Sequence, residues 1–218
     1  MKLLSIIAIA VYALPISGCR SAGMPDTDPG KTHFKPREAR PVQVIARRFW
    51  QPKKQVLSLV RPMEQPECIT IHHDGKSNYG RDWKASARRI RELQEGDIQT
   101  GHGDIRCHFI IDREGLVWEG RSIRSREERD RDSIGVMLLG DFEKQTMNEQ
   151  QKLALTELLD HLCAKYRIPA ADVQTHRELS GVVCPGRQVQ TFVQIFRASR
   201  LRSVSEAGDQ SHQTRSSQ

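Results

Sequence analysis

Ser133-Ile134-Gly135-Val136-Met137-Leu138-Leu139 is a nearly continuous apolar run in a chain otherwise rich in charge. A strand with one wet face alternates apolar and polar residues, so a run without alternation belongs inside a sheet covered on both faces. Other segments fit the same plan. Cys68-Ile69-Thr70-Ile71-His72 reads as a second buried strand, and Cys107-His108-Phe109-Ile110-Ile111-Asp112, a turn at Arg113-Glu114-Gly115 and Leu116-Val117-Trp118-Glu119 read as a β-hairpin. Trp83, Ala87, Ile90 and Leu93 recur at helical spacing and predict an amphipathic helix over about residues 82–94. Leu155, Leu158, Leu159, Leu162 and Tyr166 predict another, ending near residue 167, with Thr146-Met147-Asn148-Glu149 as its capping box. Residues 122–132 read as a charged loop. Strands interleaved with long helices indicate an α/β domain over residues 67–196.

The 218 residues suffice for one such domain with appendages. A formal charge of +7 favours anionic partners: nucleic acid, lipid headgroups or an anionic wall polymer. With neither an RNA-stacking motif nor a helix-turn-helix pattern, nucleic acid is not expected. At the amino end, Lys2 precedes an apolar run over residues 3–15, too short to span a bilayer and right for a signal h-region. It closes in Ile16-Ser17-Gly18-Cys19, which resembles a bacterial lipobox. The expectation is a lipoprotein signal peptide over residues 1–18 and an acylated Cys19. That places an exported protein on the periplasmic side of a bacterial membrane, the outer one. Residues 19–41, rich in Pro and charge, read as a flexible tether, residues 42–66 as a wrap onto the domain, and residues 197–218 as a polar, disordered tail. Cys68 and Cys163 read as buried free thiols. No Cys-x-x-Cys pair is present, which disfavours a structural zinc finger.

Chemistry concentrates in His176-Arg177-Glu178-Leu179-Ser180-Gly181-Val182-Val183-Cys184-Pro185-Gly186 and in the strand-end pair His72-His73. Two imidazoles and a thiolate are three ligands for a borderline-soft cation, and three protein ligands with an open fourth place distinguish a catalytic zinc site from a structural one. Side chains alternate along a strand, so one of His72 and His73 faces such a site, and spacing alone leaves open which. Spacing alone also leaves open whether the residues meet at all.

Four blocks occur in order: Ile69-Thr70-Ile71-His72-His73; Cys107-His108-Phe109 through Trp118-Glu119-Gly120-Arg121; Ser133-Ile134-Gly135-Val136 through Gly140-Asp141-Phe142; and His176-Arg177-Glu178 through Cys184-Pro185-Gly186. Together they resemble the type 2 N-acetylmuramoyl-L-alanine amidase family, which includes peptidoglycan recognition proteins and phage lysozyme-amidases. The resemblance implies a single domain with a central mixed β-sheet flanked by helices. It implies Zn2+ held by His72, His176 and Cys184, peptidoglycan or muropeptides as partners, and hydrolysis of the amide between the muramyl lactyl group and L-alanine. It also exposes departures. Cys107 stands where the family usually has tyrosine, Val182 where it has threonine or lysine, and Met137 where one branch has glutamate. A peptidoglycan-binding module with weak or no catalysis is therefore the alternative. Cys107, Tyr79 and His102 are the candidate stand-ins for the missing acid–base group. His108 reads as a core residue, Arg121 as a substrate-carboxylate contact or a structural ion pair, and Asp141 as a turn former.

Overall fold

The computed structural model of the chain describes residues 42–77, 80, 82–127 and 132–202, with the backbone of residues 203–215. The signal segment, Cys19, the tether and Tyr79 lie outside the described residues. The apolar run at residue 133 is β7 (Ser133–Leu138), and it sits in the middle of a six-stranded mixed sheet. On one side it pairs in parallel with β3 (Cys68–His73), which pairs in parallel with β8 (Val173–Thr175). On the other it pairs in parallel with β4 (Phe109–Ile111), followed by antiparallel β5 (Val117–Glu119) and edge strand β1 (Val44–Ile45). The predicted hairpin is β4–β5; its turn puts Gly115 at φ +75°, a region glycine enters without a Cβ clash. A separate ribbon joins β2 (Val60–Pro62) to β6 (Ser125–Glu127). Residues 122–132, read as a charged loop, thus contain a strand; Ser125, Arg126 and Glu127 carry no apolar alternation to betray it.

The sheet buries both faces, which explains the apolar run. Ile134, Val136 and Leu138 pack with Ile69 and Ile71 against α2 (Glu149–Tyr166) and α4 (Arg187–Arg215), through Leu155, Leu159, Val189 and Val193. Met137 and Leu139 face the other way, into a cluster with Trp50, Ile90, Ile110 and Trp118 that includes α1 (Trp83–Gln99). Three boundaries differ from the expectation. Helix α1 runs to Gln99 because its last turns bury Gln94 and Asp97, polar residues that break the apolar period. Helix α2 is capped by Asn148, which accepts from the Gln151 amide at 2.8 Å, so the capping box expected at Thr146 does not form. The expected disordered tail from residue 197 is instead helical as far as Arg215. Arg197 binds Glu178 at 2.6 Å and Arg200 binds Asp160 at 2.5 Å, so ion pairs carry the helix past its last apolar contact.

A buried carboxylate fastens the amino-terminal segment. Asp104 is fully buried and accepts from Arg47 (2.7 Å), Gln94 (2.7 Å), Gln55 and the Ile105 amide (2.8 Å). Trp50, also buried, donates its indole N–H to the Glu119 carbonyl at 2.7 Å. Asp104→Ala removes the carboxylate partner of the Arg47 cation and one acceptor of the Gln94 amide, leaving them the Gly120 and Lys53 carbonyls. It should lower the unfolding free energy in urea by about 3 kcal/mol, whereas a loss below about 1 kcal/mol would show that the carboxylate is not the fastening.

Candidate metal centre

Ile69 and Ile71 point into the α2 side of the core, so alternation along β3 turns Thr70 and His72 to the opposite face. His73 turns toward Phe142: its Nδ1 accepts from the Phe142 amide at 3.4 Å and the rings lie 6.3 Å apart. The structure therefore selects His72 for the cluster. His176 opens the short helix α3 (His176–Ser180). Thr175 caps the helix, its side chain accepting from the Glu178 amide while Glu178 accepts from the Thr175 amide. Thr175-x-x-Glu178 is a capping-box pattern, and it was the sequence signal for this helix start. Burial pushes the Glu178 carboxyl up, but hydrogen bonds from Arg197, Thr175 and Gln190 outweigh it and hold it at about 2. Gly181, at φ +68°, closes α3 and returns the chain toward Cys184.

His72, His176 and Cys184 meet. Their ligand atoms all lie within 4.8 Å of one another, with His72 Nδ1 to Cys184 Sγ at 3.8 Å and the imidazole centroids 4.8 Å apart. Ligands of one tetrahedral zinc stand about 3.3–3.8 Å apart, so small side-chain adjustments would seat an ion. The protonation states fit the same use. Burial, then His176, Arg106 and His73, lower the His72 pKa to about 3; burial, then Arg106, lower that of His176. Both imidazoles are thus biased to the neutral, ligating form. Burial raises the Cys184 thiol, while the His73 amide, donating to Sγ at 3.4 Å, and Arg106 favour the thiolate.

The cluster opens into a cavity of about 650 Å³, also lined by Gly135, Met137, His102, Arg106, Cys107 and Arg121. Cys107 lies buried in its wall, and burial, then Asp97, push its thiol up to about 12. Burial disfavours Cys107 as an acid–base stand-in, whereas His102 also reaches the cavity. Val182 is exposed and stands apart from the lining residues. His108 is a core residue: Nδ1 accepts from the Gly135 amide at 2.9 Å, which leaves Nε2–H to donate to the Ser125 carbonyl, also at 2.9 Å. Arg121 is buried, and Asp141 accepts from the Glu143 amide in the turn after β7. Cys68, Cys107, Cys163 and Cys184 form no disulfide.

The depressed His72 value has a consequence for the metal-free protein. Between about 3 and 6.5 the unfolded chain binds the proton and the folded chain does not, so stability present above pH 6.5 is lost as pH falls below it. Wild type should lose about 1–2 kcal/mol more than His72→Gln between about pH 7 and pH 5 in urea titrations. Equal losses would show that the fold does not hold His72 neutral.

Comparison with known proteins agrees with this geometry. The family model for N-acetylmuramoyl-L-alanine amidase matches residues 62–187. Peptidoglycan-recognition protein SD of Drosophila simulans is 26% identical over 162 residues, 70% of this chain and 85% of the relative. The endolysin of Escherichia phage T7 is 31% identical over 105 residues, 44% of this chain and 68% of the relative. Among solved structures, peptidoglycan recognition protein-LE in complex with tracheal cytotoxin superposes with a TM-score of 0.63 at 22% identity, covering 70% of this chain and 92% of that one. The order of the strands, the meeting of His72, His176 and Cys184, and a match across more than half of the chain lead to one conclusion: this protein belongs to the N-acetylmuramoyl-L-alanine amidase family.

Proposed function

We propose that the protein is a zinc-dependent N-acetylmuramoyl-L-alanine amidase acting on peptidoglycan or its muropeptides. The observation that carries this reading is the convergence of two imidazoles and one thiol at the wall of an open cavity. His72, His176 and Cys184 would hold the ion. Bound there, zinc supplies a Lewis acid for the scissile carbonyl and acidifies water to near neutrality. The chain's own residues do the rest. The Thr175–Glu178 capping box sets His176 at the helix start, and the His73 amide steadies the sulfur. The cavity has room for a sugar–peptide junction, and a solved relative holds tracheal cytotoxin, monomeric diaminopimelic acid-type peptidoglycan. The export signal expected in residues 1–19 would bring the domain to that polymer.

A second reading, a peptidoglycan-binding module with weak catalysis, is favoured by one observation: the Cys107 thiol is buried and held protonated. Loss of acid–base help costs about 10²–10⁴ in rate, which could leave binding as the main activity. Digestion of purified sacculi separates the two. With zinc, the soluble domain should release new amino-terminal L-alanine, and chelator or His176→Ala should abolish it. Tight sacculus binding with no new termini, equal in wild type and His176→Ala, would establish the binding module instead.

A further inference from the structure

The wall of the cavity carries arginines as well as the metal-ligating cluster. Arg106 and Arg121 are the arginines that line it. Arg121 is 1% exposed and closed to an arriving ligand, whereas the Arg106 side chain is 54% exposed. Arg106 is also held in place. The buried carboxylate of Asp97 accepts from the Arg106 amide at 3.0 Å and from its Nε at 2.8 Å, fixing backbone and guanidinium together. So positioned, Arg106 lines the same cavity as His72, His176 and Cys184.

Resting on the amidase reading, the reaction has one place where negative charge appears. Water adds to the lactyl carbonyl carbon, the carbon–nitrogen bond breaks, and the nitrogen leaves as the amino group of L-alanine with protons from that water. The two oxygens remain as a carboxylate. We propose that Arg106 is the anion-stabilising residue of this cleft. Its guanidinium receives the charge that develops on the lactyl oxygen during attack and that persists on the lactyl carboxylate of the product. Guanidinium suits the task, because its planar fork matches a carboxylate and it keeps its charge at any working pH.

Two measurements test this, one without turnover. Zinc-free wild type should bind N-acetylmuramic acid, a free lactyl carboxylate, about tenfold or more tightly than Arg106→Gln does, with affinity for the neutral lactyl amide unchanged. In the zinc-loaded protein, Arg106→Gln should lower kcat about 10²-fold with KM nearly constant and with wild-type zinc content, and Arg106→Lys should recover part of the loss. Unchanged carboxylate affinity, or a raised KM with wild-type kcat, overturns the assignment. If wild type shows no chelator-sensitive cleavage, the amidase reading falls, and the carboxylate-binding comparison still decides whether Arg106 is the anion site.

Discussion

The register of β3 against β7 ties the core of this protein to its chemistry. Ile69 lies opposite Ile134, Ile71 opposite Val136, and His72 opposite Met137. Burial of Ile69 and Ile71 on the α2 side leaves only one face for His72, the face of the open cavity. A slip of one residue would exchange His72 with His73 and send apolar side chains into the cavity, so the hydrophobic core enforces the site. The same constraint places Gly135 and Met137 in the cavity wall.

The second half of the site depends on polar contacts. Glu178 links Thr175, Gln190 and Arg197, so the short α3, strand β8 and the long α4 meet at one carboxylate. His176 stands at this junction. Because Arg197 belongs to α4, part of a segment that reads as a polar tail helps position a candidate ligand. Asp97 plays a comparable part for Arg106, where one buried carboxylate sets both the backbone and the side chain.

Legibility followed the physics of burial. Strand β7 announces itself as an unbroken apolar run, α2 by apolar residues at helical spacing, and the β4–β5 hairpin by two apolar runs around the Arg113-Glu114-Gly115 turn. Edge strand β1, ribbon strands β2 and β6, and β8 have two or three residues each, too few to establish a period. Asp104 and Asp97 were invisible for another reason: an acidic residue in sequence reads as surface, and only the fold brings donors to bury it. At the site, His72, His176 and Cys184 were legible through the blocks around them, but the choice of His72 over His73 follows from the core. The fate of Cys107 was not legible, since a thiol can be a reactive group or a buried hydrophobe, and burial in the cavity wall decides for the second.

The account rests on one ion being held by one sulfur and two ring nitrogens. X-ray absorption at the zinc edge of the reconstituted protein tests that directly. The account predicts one sulfur at about 2.3 Å and two histidine nitrogens at about 2.0–2.1 Å, with the sulfur lost in Cys184→Ala. A shell of nitrogen and oxygen alone in wild type would contradict it.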